Sequence, residues 1–176
     1  FERALFALLL RYEGVSGGGF QAACPPACFR VLRRRLGARM ELFASPLNCF
    51  WAPFCSAFAD VDAPFGSLGS WFGVRPAAGS FELNPPFVEP LVLSLCDHLE
   101  ALLARADARG RALAFAVVVG ANAAARAHAA WRRLTASPYA RGAVVVPLHE
   151  HGYFEGNQHL VADGASATRL ATCDTA

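Results

Sequence analysis

With 176 residues, 55% of them hydrophobic and 17% charged, the chain is too apolar for a disordered polypeptide and long enough to bury a core of its own, although two full domains would be crowded. A net charge of +2 excludes a global positive field, so any nucleic-acid binding has to come from local patches. The six cysteines (Cys24, Cys28, Cys49, Cys55, Cys96, Cys173) form no CxxC pair, and several sit in apolar stretches; they read as reduced, intracellular thiols used as small apolar residues, with no metal site expected.

In chain order, Leu5, Leu8 and Leu9 are spaced for a helix from residue 1 to about 12, ended by Gly14 and the triglycine Gly17-Gly18-Gly19. That glycine run either lets backbone approach a ligand or simply connects. The apolar run 4–10 is too short to span a membrane and is followed by Arg11 and Glu13, so a soluble protein is expected. The start in mid-helix and the end at Ala176 without a closing element suggest a unit truncated at both ends. Pro25 and Pro26 suit the first turn of a helix running to Leu36, with Gly37 as its cap. Arg30, Arg33, Arg34, Arg35 and Arg39 then make either a solvated helix surface or a polyanion-binding patch.

Residues 40–44 read as a short strand that stops at Ser45-Pro46, and 48–58 as a helix around Pro53. The Gly-, Pro- and Ser-rich stretch 60–79, punctuated by Phe65, Trp71 and Phe72, reads as irregular and ligand-facing. Asp60 and Asp62 there are either acceptors for a ligand's hydroxyl or amino groups or part of a solvated loop. A strand at 81–83 enters Asn84, and Leu91, Leu95, Leu99 and Leu102 mark an amphipathic helix over 88–106. The run 112–119 looks like a strand covered on both faces, 121–136 like a helix with Trp131 used in packing, and 144–146 like another buried strand. Alternating strands and helices predict an α/β fold, a mainly parallel sheet flanked by helices, in one unit of 176 residues: a helical lead-in over 1–37 and the sheet with its helices over 38–176.

In such a sheet ligands gather at the carboxyl ends of strands, where three loops are candidates: 45–48, 65–69 and 84–87. The loop Asn84-Pro85-Pro86-Phe87 has a specific chemical use. The exocyclic amine of adenine is a poor nucleophile because its lone pair is delocalised into the ring. Hydrogen bonds from that amine to the Asn84 side-chain oxygen and the Pro85 carbonyl favour a pyramidal nitrogen, and the prolines hold both acceptors in place. Phe87 offers a face on which the base can stack. An Asn-Pro-Pro turn without function is the alternative reading of those four residues.

Several collinear segments resemble the catalytic domain of the phosphorylated CTD-interacting factor family, the cap-specific adenosine N6-methyltransferases. They are Glu41-Leu42-Phe43-Ala44-Ser45-Pro46-Leu47-Asn48-Cys49-Phe50, Cys55-Ser56-Ala57-Phe58, Asp60-Val61-Asp62, Phe65-Gly66-Ser67-Leu68-Gly69-Ser70 and Gly79-Ser80-Phe81-Glu82-Leu83-Asn84-Pro85-Pro86-Phe87-Val88-Glu89, followed by Glu150-His151, Tyr153, Gly156 and Gln158-His159. The resemblance implies a Rossmann-like S-adenosyl-L-methionine-dependent methyltransferase acting in the nucleus on the 2′-O-methyladenosine beside the mRNA cap. It implies Asn84, Pro85, Pro86 and Phe87 as catalytic residues and Ser45, Pro46, Leu47, Asn48, Phe65, Gly66, Ser67 and Asn84 as cofactor contacts. Phe87, Glu89, Gly120, Asn122 and His151 then stand on the substrate side, with His149-Glu150-His151 read as structural or pocket lining rather than as metal ligands. The family carries a Pro-Glu-Trp-Arg type loop where this chain reads Gly120-Ala121-Asn122-Ala123-Ala124, and its upstream helical portion and WW domain are expected outside this chain. A phosphorylated RNA polymerase II tail is an implied partner through those outside regions. The competing readings are an adenine-N6 methyltransferase of DNA or internal RNA and a non-catalytic RNA or polymerase-tail adaptor.

Overall fold

The computed structural model describes residues 1–15, 21–155, 168–171 and 173–176. The triglycine and the motif residues Gly156, Gln158 and His159 lie outside them. Helix α1 (Glu2–Glu13) buries Leu8 and Tyr12. After the two-residue strand β1 (Ala22–Ala23), α2 (Pro26–Leu36) starts on proline, whose missing N–H has no partner to lose in a first turn. It stops at Gly37, whose φ of 72° is left-handed; the Gly37 N–H reaches Arg33 O at 3.0 Å.

The centre of the molecule is a parallel crossover. Strand β2 (Gly79–Leu83) pairs in register with β3 (Leu113–Val117), from Gly79 opposite Leu113 to Leu83 opposite Val117. Between them α4 (Glu89–Asp107) turns Val92, Leu95, Cys96, Leu99, Leu102 and Ala106 inward, so its seam runs through Val92 and not Leu91. Leu95, Leu99 and Leu102 meet Leu42, Cys55, Trp71 and Leu83 in the main core.

On the far side of β2 the expected strand at 40–44 is reduced to single bridges, with Leu42 N–H on Glu82 O at 2.9 Å and Glu82 N–H on Met40 O at 3.0 Å. Parallel bridges continue from Glu41 to Phe54 and from Phe54 to Ser67. Beyond β3, Val119 and Ala176 exchange backbone hydrogen bonds, and Thr175 bridges both Gly120 and Val146, all antiparallel. A second sheet, antiparallel, has the order β1, β4 (Gly152–Glu155), β5 (Thr168–Leu170). The class is therefore mixed α/β, with two small sheets in place of one mainly parallel sheet.

Several expected elements differ. Residues 48–58 form turns and bends, because Cys55 N–H is spent on Glu41 O at 2.9 Å and Ser56 N–H on Gly69 O at 3.0 Å, donors that a helix would keep within itself; the Glu41 carboxylate takes the N–H groups of Phe50 and Trp51 at 2.8 Å each, and the single turn α3 (Ala59–Asp62) follows. Residues 60–79 are irregular apart from that turn and 3-10 turns at Ala63–Phe65 and Trp71–Gly73. The helix expected over 121–136 is two helices, α5 (Ala123–Ala127) and α6 (Ala129–Ala136), separated by an extended His128. Residues 144–146 contribute one bridge at Val146, and Val144 is exposed. Strand β3 is half-buried throughout and not sealed on both faces. Among the described residues no helix is long and apolar enough to cross a membrane.

Candidate active site

The β2 ladder is held to its end, where Val118 N–H bonds Leu83 O at 2.8 Å, and the chain leaves it as Asn84-Pro85-Pro86-Phe87. The Asn84 side-chain nitrogen donates to the carbonyl of Ala22 in β1 at 3.1 Å. A backbone carbonyl only accepts, so this contact fixes which way the carboxamide points and leaves the Asn84 Oδ1 an acceptor with no donor among the described residues. No described group donates to the Pro85 carbonyl either. Pro85 is fully buried, whereas Phe87 is 44% exposed.

The Phe87 ring lies on Gly120, where a Cβ would come within 3.1 Å of its Cδ2. Both line a cleft of about 380 Å³, together with Glu89, Asn122, His128 and Trp131. Four of the residues expected on the substrate side, Phe87, Glu89, Gly120 and Asn122, are thus brought together from the start of α4 and the segment after β3. Trp131, expected to serve packing, is a half-buried wall of the same cleft. Asn122 caps α5, its side-chain oxygen accepting from Ala125 N–H at 2.8 Å. Glu89 accepts from Ala129 N–H at 2.7 Å, with His128 Nδ1 at 4.0 Å.

His151 does not line this cleft. Its Nδ1 donates to Pro147 O at 2.8 Å, and its Nε2 faces the Thr175 hydroxyl at 2.8 Å. In the neutral ring Nε2 is then an acceptor, so Thr175 donates to it and accepts in turn from Tyr153, whose hydroxyl is 2.7 Å away.

Of the expected cofactor contacts, Ser45 to Asn48 form a turn closed on itself: Ser45 N–H bonds Asn48 Oδ1 at 2.7 Å, and Leu47 N–H bonds Ser45 Oγ at 3.1 Å. Pro46 sits half-buried between them. Ser45 Oγ also donates to Gln21. Because residues 40–44 run parallel to β2, this turn and the Asn84 loop leave the same edge. Phe65, Gly66 and Ser67 lie further along the row of bridges. There Gly66 has a left-handed φ of 102°, Ser67 Oγ meets Ser56 Oγ at 2.6 Å, and Phe65 packs against Phe1.

Asp60 is held by Arg11 at 2.9 Å, and that guanidinium keeps its carboxyl below the usual range. Asp62 is fully buried; one oxygen takes the Tyr12 hydroxyl at 2.7 Å and the other has no described partner. Burial, and then Asp62, push the Tyr12 phenol well above its ordinary value.

Two buried acids were not singled out from the sequence. Glu41 and Glu82 face each other across the parallel bridge, 2% and 1% exposed. Burial pushes Glu41 up to about 7 in spite of the N–H groups of Trp51 and Phe50 on its carboxylate. Glu82, two residues before Asn84, is raised well above the carboxylate range by burial and then by Glu41, and neither of its oxygens has a described partner. The signal was present in the sequence: each is a lone acid inside an apolar strand segment. Among the described residues no group of three or more His, Cys, Asp or Glu is arranged to hold a metal.

A family model described as the phosphorylated CTD interacting factor 1 WW domain matches residues 1–156. That span runs from α1 through β4 and leaves β5 outside it. Proteins of Mus musculus and Homo sapiens named mRNA (2′-O-methyladenosine-N(6)-)-methyltransferase are 39% and 38% identical over alignments of 177 positions. Those alignments cover 91% of this chain and 23% of each relative, so the chain spans about a quarter of the length of the curated relatives it matches.

Proposed function

Since this chain belongs to the phosphorylated CTD interacting factor 1 family, we propose that it is the methyl-transfer core of an adenosine N6-methyltransferase that uses S-adenosyl-L-methionine. The observation that carries the reading is the Asn84 carboxamide, tied to Ala22 O through its nitrogen so that its oxygen stays available. The substrate named for the mouse and human relatives makes the cap-adjacent 2′-O-methyladenosine of mRNA the first choice, and that substrate supports a nuclear site of action. Capped 5′ ends are the direct partner; a phosphorylated polymerase tail would be met through regions outside this chain.

The residues fit the cofactor. Asp62 keeps a buried oxygen without a partner among the described residues, an acceptor suited to a hydroxyl or ammonium, beside Tyr12 and near the Ser45 turn. Ser45, Pro46, Leu47, Asn48, Phe65, Gly66, Ser67 and Asn84 would hold the group, and the edge shared by the Ser45 turn and the Asn84 loop suits a Rossmann-like arrangement. S-adenosylmethionine supplies, when bound, a methyl group made electrophilic by its sulfonium. Asn84 Oδ1 and the Pro85 carbonyl accept the two N6 hydrogens of the adenine, which localises the nitrogen lone pair and directs it toward that methyl. Phe87, backed by Gly120, stacks the base, and Glu89 and Asn122 line the cleft in which the nucleotide sits.

The test is steady-state methyl transfer by the full-length protein. Asn84→Ala should lower kcat by roughly 100-fold or more, the loss typical of a preorganised acceptor or donor at the reacting atom, with little change in KM. An unchanged kcat would overturn the role of Asn84. Equal rates on capped and uncapped RNA, or on DNA, would move the substrate away from the cap.

A further inference from the structure

The charge of the chain is unevenly placed. Arg30, Arg33, Arg34, Arg35 and Arg39 fall within ten positions, and no Asp or Glu occurs from residue 14 to residue 40. Because the whole chain carries only +2, everything outside this strip is net acidic. All five arginines are exposed, and among the described residues none makes an ion pair. Elsewhere Arg11 is held by Asp60 and Arg133 by Asp97 and Glu100, while the exposed Arg3, Arg105, Arg109, Arg111 and Arg141, also without an ion pair among the described residues, are not gathered on one short helix.

Helix α2 does not float free of the candidate site. Its lead-in strand supplies the Ala22 carbonyl to Asn84, and its inner face is anchored by Phe29, stacked at 4.8 Å on Phe50 and edge-on to Trp51. At 1.5 Å per residue, Arg33 to Arg35 lie about 10–14 Å along the axis from Pro26. A strand held at the Asn84 loop reaches that far within a few nucleotides. The only aromatic side chain of α2, Phe29, is buried, so the outer face offers charge without a stacking platform. Such a face neutralises phosphates and does not read bases.

Resting on the methyltransferase reading above, we infer that the arginine strip of α2 is an electrostatic track for the phosphodiester backbone of the RNA downstream of the methylated nucleotide. The strip sets the affinity for long substrates and leaves the chemical step alone. An acidic peptide would also be attracted by this charge; the tie between α2 and the Asn84 loop favours the substrate strand.

The experiment uses the full-length protein and a variant carrying Arg33→Gln, Arg34→Gln and Arg35→Gln, with folding checked by circular dichroism. Binding of a capped RNA of about a dozen nucleotides is followed by fluorescence anisotropy across a salt series, and methyl transfer is measured on that RNA and on a capped dinucleotide. Removing three phosphate-neutralising charges should lower the slope of log Kd against log salt by about 2 and raise KM for the longer RNA roughly 10-fold or more. The dinucleotide should keep its kcat and KM. A second variant with Arg33→Lys, Arg34→Lys and Arg35→Lys should retain the slope, since the track needs charge and not a guanidinium fork. An unchanged slope in the glutamine variant overturns the inference, and so does loss of binding to a phosphorylated polymerase-tail peptide with RNA binding intact. If the wild-type protein transfers no methyl group to any adenine substrate, the parent reading fails while the salt series still decides the strip.

Discussion

At Gly120 a single methyl group decides where the Phe87 ring can rest. A Cβ there would sit 3.1 Å from Phe87 Cδ2 and 3.6 Å from Cys173 Sγ, and Phe87, 44% exposed, has room to swing away. Gly120→Ala should therefore cost little stability, with a Tm within about 2 °C of wild type, while under the proposed stacking role of Phe87 the KM for an adenosine substrate should rise several-fold. A variant with normal KM would detach Phe87 from the substrate. Glu82 poses a different problem, a carboxyl with no described partner beside Glu41. Both acids have folded pKa values raised above the ordinary 4.5, so the stability of their protonated forms is fully present below about 4.5 and is lost as pH rises through about 7 for Glu41 and above the usual range for Glu82. Glu82→Gln removes the ionisation. Its Tm should exceed wild type by a few degrees at pH 8, at roughly 2–4 °C per kcal/mol relieved, and the gap should close by pH 5. Melting curves with the same gap at both pH values would show that Glu82 does not titrate in the fold.

Elements whose cause is local were legible in the sequence, and elements whose cause is distant were not. Helix α2 announces itself by Pro26 and Gly37, and α4 by apolar spacing that repeats for about three turns from Leu91 to Leu102; both begin and end within a residue or so of the expected positions. The Asn84 loop was placed correctly at the end of β2 for the same reason, a strand followed by two prolines. What the sequence hid was the use of distant groups as backbone partners across space. The carbonyls of Glu41 and Gly69 take the N–H groups of Cys55 and Ser56 that a helix at 48–58 would need, and Glu89, forty residues upstream, caps Ala129 and so lets the chain break at His128. Glu89→Ala should orphan that N–H and destabilise α6 by about 1 kcal/mol, seen as faster amide exchange at Ala129 to Trp131. Glu89→Gln keeps an acceptor and should retain most of the protection. If alanine and glutamine behave alike, the break at His128 has another origin.

At the scale of the whole molecule the two sheets are coupled, and the coupling reaches the candidate site. The Ala22 carbonyl that orients Asn84 belongs to β1, which pairs with β4 through Ala22 opposite Glu155 and Ala23 opposite Phe154. Strand β4 is fastened to the parallel ladder by the Tyr153 hydroxyl on Thr175, while Thr175 itself bridges Gly120 and Val146 and donates to His151. No sequence pattern exposes this connection, because Tyr153 and His151 stand more than twenty residues from Thr175 and each looks like an ordinary surface polar residue. Thr175→Val keeps the shape of the side chain but strands two partly buried polar groups, which should cost about 1–3 kcal/mol in urea unfolding. Loosening β4 also loosens the Ala22 carbonyl, so the same variant should lose several-fold in kcat with KM for the adenosine substrate nearly unchanged. Thr175→Ser restores the hydroxyl and should recover both quantities. Loss of stability with full kcat would mean that the second sheet supports the fold without setting the angle of Asn84.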